Sequence, residues 1–189
     1  MKRGDAILVF MLLVLPCVLL AQAPKPSLLE QGLHDDIHSV DFRNFDYPSD
    51  CWAQMNDRFD KKVSVSNGTW QDLDRVFHVD QILYGDLKGD GRPEAVVVAS
   101  CSYTGLNSES TVTYVFEMSS AGLKRLAALY SHDPNLGVRV SGTQLLLSYS
   151  EGGLSARPEW IVTAKFQWSG TALVRVGEDR KRFTNWLNR

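Results

Sequence analysis

From Val63 to Val176 the chain runs in short apolar–polar stretches broken by glycine, asparagine and serine. Val63-Ser64-Val65-Ser66 alternates, Asn67-Gly68 follows, and Thr69-Trp70 resumes. An Asn-Gly pair between alternating runs predicts a hairpin, because both residues tolerate a positive φ. Arg75–Tyr84 is a longer strand with Phe77, Val79 and Leu83 on one side and Val76, His78, Asp80, Ile82 and Tyr84 on the other. Ala95–Ala99 is apolar on both faces and reads as a central strand covered from both sides. Thr111–Met118 groups Val112, Tyr114, Phe116 and Met118, and Ser119–Gly122 turns the chain into Leu123–Tyr130. Leu136–Val140 and Gln144–Tyr149 pair about Ser141-Gly142. In the last hairpin Trp160, Val162, Ala164, Phe166 and Trp168 share a face, opposite the wetter Ile161, Thr163, Lys165 and Gln167. Ser169-Gly170 then leads into Ala172–Val176. Strands this short and this closely spaced predict an all-β antiparallel fold: a meander, a sandwich or a partly closed barrel. Trp160 and Trp168 are expected in the core, and Trp52 and Trp70 at the surface.

The two ends break this pattern. Lys2 and Arg3 precede an apolar run from Ala6 to Leu20, closed by Ala21-Gln22-Ala23. A positive start, a short apolar core and a small-residue exit are the parts of a secretory signal. The run is ~15 residues, short of the ~20 a bilayer-spanning helix needs. An uncleaved N-terminal anchor is the alternative, and the only membrane link expected. Ser27–Ile37 is expected to be a short helix, with Ser27 and Glu30 at capping-box spacing. The tail from Gly177 is basic, and Phe183, Trp186 and Leu187 fall at spacings that suit a terminal helix. The expected organisation is a signal over 1–23, an N-terminal segment over 24–36, a single β domain over 37–178 and a basic tail over 179–189.

Export changes the meaning of the cysteines. Cys17 leaves with the signal, and Cys51 and Cys101 remain to pair in an oxidising compartment, periplasmic or extracellular. Their loop of ~50 residues would be worth a few kcal/mol. A reactive thiol at Cys101 is the alternative, without a local signature behind it. A length of 189 residues excludes a full β-propeller or a TIM barrel, the latter needing ~250. The net charge of −2 gives no general case for nucleic acid as a partner.

Site-like chemistry concentrates in Asp86-Leu87-Lys88-Gly89-Asp90-Gly91-Arg92-Pro93-Glu94, which opens into the Ala95–Ala99 strand. Oxygen ligands at alternate loop positions can wrap a hard cation, with one position contributing a carbonyl and glycine permitting the turn. The stretch resembles the calcium loop of FG-GAP and VCBS-type repeats, in which Asp-x-Asn-x-Asp-Gly leads into a strand of a propeller blade. With its single such loop, the chain also resembles small exported bacterial proteins of unknown function. The first resemblance implies calcium held by Asp86, Asp90 and Glu94 and by the Arg92 carbonyl, in a structural role. Lys88 stands where the family places an oxygen ligand. Its ammonium could point away, or replace the metal by pairing with Asp86 and Asp90. Alternatively the carboxylates simply satisfy the loop's own amides.

Two histidine patterns suggest other chemistry. His34 and His38 are four apart, one carboxylate away from a His-Glu-x-x-His zinc motif, and a solvated helix end is the plainer reading. His78 and Asp80 lie close together in one strand, but the sequence nominates no nucleophile for them. Asn67-Gly68-Thr69 matches a glycosylation acceptor, although the hairpin turn explains it better. No other catalytic motif is present. The expected function is therefore that of an exported, non-enzymatic β domain binding a protein, a glycan or an envelope component, with calcium as an optional structural cation. The alternatives are a secreted, metal-dependent hydrolase and an envelope structural or folding-support protein.

Overall fold

The computed structural model describes residues 36–53, 62–105, 109–131, 137–154 and 157–183. The proposed signal, His34, most of the Ser27–Ile37 helix, Leu136, Trp186 and Leu187 lie outside them. Among the described residues no helix is long and apolar enough to cross a membrane. The described part opens with a 3-10 turn over Ile37–Ser39, capped by the Asp36 carboxylate, which accepts from the His38 amide at 2.9 Å. It continues through β1 (Asp46–Tyr47), the single-turn helix α1 (Asp50–Ala53) and β2 (Val63–Ser64). Next come β3 (Thr69–Gln71), β4 (Arg75–Gly85), β5 (Glu94–Tyr103), β6 (Glu109–Ser119) and β7 (Gly122–Ser131). The last four strands are β8 (Gly137–Ser141), β9 (Gln144–Leu154), β10 (Arg157–Trp168) and β11 (Leu173–Arg182).

These strands form three antiparallel sheets: β1-β2, the five-stranded meander β3-β4-β5-β6-β7, and the four-stranded meander β8-β9-β10-β11. The fold is all-β, and none of the sheets closes into a barrel. The five-stranded sheet is the middle layer. On one face Ala95, Val97, Ala99 and Cys101 of β5 pack with Phe77, Val112, Tyr114 and Phe116 under the N-terminal layer of Phe42, Phe45, Tyr47 and Trp52. On the other face Val96 and Val98 pack with Val115 against Val138, Leu145 and Leu147 of the second sheet. Two buried faces explain why the Ala95–Ala99 run is apolar throughout.

Several expected details change. The Asn67-Gly68 turn forms, with φ of 53° and 83°, but only the bridge Ser66↔Thr69 spans it. β2 pairs with β1, and β3 pairs with β4, so the turn is a corner between two sheets. The Asp41–Asn44 turn competes for it: Gly68 N–H donates to the Arg43 carbonyl at 2.7 Å, and the Asn67 amide donates to Asn44 Oδ1 at 2.9 Å. In β4 a bulge at Asp80 resets the alternation. Phe77 and Val79 therefore share their core with Ile82, while Leu83 faces the other core.

The tryptophan assignments also shift. Trp52 is 0 % exposed, and Trp70 packs against it edge-on at 5.7 Å. Trp160 and Trp168 are only half-buried, because β9–β11 are long and β8 is short. At the C-terminal end β11 carries the sheet through Arg182, further into the basic tail than its charge suggests. Cross-strand pairing accommodates those charges: Lys165 meets Asp179 at 2.8 Å and Arg180 meets Glu151 at 2.9 Å.

The two large sheets meet most closely at β4 and β8. There Gly85 lies against Val140, and a Cβ on Gly85 would overlap Val140 Cγ1. The sandwich is thus pinched at one side. Its opposite side, between β7 and β9–β11, holds a cavity.

Candidate functional site

The loop between β4 and β5 is built around three carboxylates with separate tasks. Both Asp86 oxygens face the loop's own amides: Oδ1 accepts from Gly89 at 2.6 Å and Asp90 at 3.0 Å, and Oδ2 accepts from Gly91 at 2.9 Å. Gly89 and Gly91 supply the positive φ values, 72° and 84°, that wrap the backbone around this carboxylate. Glu94 is 1 % exposed, and its Oε2 accepts from Leu87 N–H at 2.8 Å and from Lys88 N–H at 3.3 Å. Burial pushes the Glu94 carboxyl up, and these two amides oppose that. Leu87 is the loop's apolar anchor, plugged into the core between the sheets.

Asp90 serves cations and an amide. Its Oδ2 lies 3.1 Å from Lys88 Nζ and 3.3 Å from Arg92 Nη2, and its Oδ1 accepts from Arg92 N–H at 3.1 Å. Lys88 also reaches Glu117 Oε2 of β6 at 2.8 Å, where Lys124 approaches the other oxygen at 3.5 Å. The ammonium thus pairs with Asp90 and Glu117, not with Asp86. Among the described residues no group of three or more His, Cys, Asp or Glu side chains is placed to hold a metal ion. As arranged, Asp86 and Glu94 serve backbone amides, and Asp90 serves an amide and the cations of Lys88 and Arg92.

This arrangement makes Lys88 testable. Lys88→Asn removes the ammonium and restores an oxygen ligand at that position. In chelator it is expected to melt lower than wild type, at a cost of about 1 kcal/mol, between the values for exposed and buried pairs. Calcium should then raise its midpoint and leave the wild-type midpoint where it was. A wild-type midpoint that rises with calcium would overturn the assignment of Lys88 as the resident cation. The pH dependence follows the same pair. Lys88 is the leading cause holding the Glu117 carboxyl below its ordinary value; for Asp90 the Arg92 amide leads and Lys88 adds to it. Stability from a depressed carboxylate is present above its unfolded pKa and is lost as pH falls. Lys88→Asn should therefore flatten the acid side of the stability curve.

Of the histidines, His38 and His78 are described, and neither stands in catalytic register. His38 Nδ1 lies 2.8 Å from Asp36 Oδ1, and its ring packs at a tilt on Tyr84 at 4.3 Å, both at the surface. His78 Nδ1 lies 3.1 Å from Thr69 Oγ1, while Ser100 Oγ donates to Asp80 at 3.3 Å. Ser100 stands opposite His78 in the sheet, yet its hydroxyl serves the carboxylate. The hydrogen bond from nucleophile to base that hydrolytic triads use is therefore not formed here. Burial pushes the Asp80 carboxyl up, against the pull of Ser100. Cys51 and Cys101 are joined in a disulfide with Cα atoms 6.3 Å apart, which fastens α1 to β5.

Two arrangements were not marked by sequence patterns. The first is a polar cluster under the N-terminal layer. Tyr114 O–H donates to Asp50 Oδ1 at 2.8 Å, and Arg125 Nη1 reaches Oδ2 at 2.7 Å. Burial pushes the Tyr114 phenol far up, and burial together with Asp50 pushes Tyr130 to about 12. The second is the cavity at the open side of the sandwich, of about 380 Å³. Leu129 of β7, Leu147 of β9 and Ala164 and Phe166 of β10 give it an apolar floor, and Tyr149 and Arg175 stand beside them. Arg175 is a lone cation in the apolar run Leu173–Val176, the one sequence signal that could have pointed there.

Fold and site together define an antiparallel β-sandwich with an N-terminal covering layer and a groove at its open edge. No protein-family model, curated protein or solved structure matches the chain.

Proposed function

We propose that this chain is an exported, non-enzymatic β domain whose task is binding, with the groove between β7 and β9–β11 as its binding site. The observation that carries the reading is the groove itself. A concave, mainly apolar space of about 380 Å³ with a few convergent polar groups has the size and lining of small-ligand sites. The disulfide and the signal-like start of the chain support export. The Asp86–Glu94 loop, with its resemblance to FG-GAP and VCBS-type loops, enters this reading as a rigid connection between sheet strands. The geometry of His78, Asp80 and Ser100 gives hydrolysis no comparable support.

The test is photo-crosslinking in cells, with the reactive residue at Leu129 in the groove or at Gln167 on the outer face of β10. A recurrent adduct from Leu129 that Gln167 does not give is the expected result. Equal or absent adducts from both positions would count against the groove.

A further inference from the structure

The groove has an internal asymmetry that points to a ligand class. Its floor is aliphatic and aromatic, and Arg175, the positive group among the described lining residues, stands to one side. Phe166 faces Arg175 on β11, and Ala164 faces Leu147 on β9, so β9, β10 and β11 present these side chains to the same space. Arg175 Nη2 donates to the Tyr149 hydroxyl at 3.2 Å and pairs with Glu178. Glu178 has a second partner: Arg180 Nε meets its Oε1 at 2.6 Å. Arg180 in turn holds Glu151 at 2.9 Å. Arg175 can therefore turn to an incoming anion while Arg180 keeps Glu178 paired. A guanidinium presents five donors in a planar fork that matches a carboxylate.

We propose that the groove takes a small carboxylate with an apolar chain, the chain lying on Leu129, Leu147, Ala164 and Phe166 and the carboxylate on Arg175. This deepens the reading of the groove as the binding site and rests on it. A sugar fits the same space less well, because Tyr130, Ser131 and Tyr149 at the margin would replace only part of the water its hydroxyls lose over the apolar floor. A neutral apolar molecule would leave Arg175 unused. Glu178 sets the affinity as the internal competitor for Arg175.

Calorimetry with octanoate and with octan-1-ol tests this on the purified protein. Octanoate is expected to bind at least tenfold tighter than octan-1-ol. Arg175→Met keeps an apolar stem and should reduce octanoate to the level of the alcohol, leaving the alcohol unchanged. Glu178→Gln removes the competitor and should tighten octanoate severalfold, an effect that a misfolded variant would not produce. Equal binding of the two probes to wild type, or an octanoate advantage that survives Arg175→Met, overturns the carboxylate assignment and leaves the groove standing. No binding of either probe removes the groove as an apolar site, and the carboxylate assignment with it.

Discussion

Trp52→Ala is expected to cost about 3–5 kcal/mol of folding stability, the range for emptying a buried aromatic site. Trp52 is among the largest fully buried side chains, and it belongs to the N-terminal layer over the five-stranded sheet. Its ring packs on Trp70 at 5.7 Å and on Phe77 at 6.1 Å. A covering layer cut from a loop and a single helical turn has few ways to collapse into the space an indole leaves. Trp52→Phe should cost much less, since it refills part of the volume. Urea unfolding of the three proteins measures this directly. A loss below about 1 kcal/mol for Trp52→Ala would mean that the layer contributes little to holding the fold, since exposed sites commonly change stability by less than that.

The second large effect belongs to the adjacent residue. Replacing both Cys51 and Cys101 by alanine is expected to cost about 2–5 kcal/mol, as for native disulfides of small exported domains. Thiol titration of the denatured, unreduced protein should find neither cysteine free. The disulfide fixes α1, which carries Asp50, and Asp50 accepts from Tyr114 and pairs with Arg125. A local readout follows from this geometry. Tyr130, pushed up to about 12 by burial and by Asp50, should titrate nearer the ordinary ~10 once α1 is released. A double alanine variant with unchanged unfolding and an unchanged Tyr130 titration would show that packing alone seats α1. The Trp52 and disulfide losses should not add, because the two residues are neighbours in one layer.

Much of the fold is legible in the chain because strand signals are local. The runs at Ala95–Ala99, Thr111–Met118 and Gln144–Tyr149 fall within β5, β6 and β9, and the glycine-containing turns stand between them. Side-chain direction is legible only where the ladder is regular. Asp80 is an extra residue opposite β5, so Leu83 turns to the opposite core although its spacing from Phe77 is even. Nothing in Arg75–Tyr84 marks that bulge. The exposure of tryptophans was hidden for a related reason: Trp52 lies outside any alternating run, and only the layer folded over the sheet buries it.

The same division holds for the site. The Asp86–Glu94 loop could be found from residue types and spacing, since its glycines and carboxylates act within nine residues. The task of each carboxylate could not, because Glu117, which completes the Lys88 pairing, comes from β6. The groove draws on β7, β9, β10 and β11, strands distant along the chain, and no motif could assemble it. By itself the sequence determined the β class, the positions of most strands, the turns and the pair of cysteines, all set by nearest-neighbour backbone preference and by alternation with a period of two. Tertiary structure alone decided which strands share a sheet, where the sandwich is pinched and where it stays open. Those depend on packing between residues far apart in sequence, such as Gly85 against Val140.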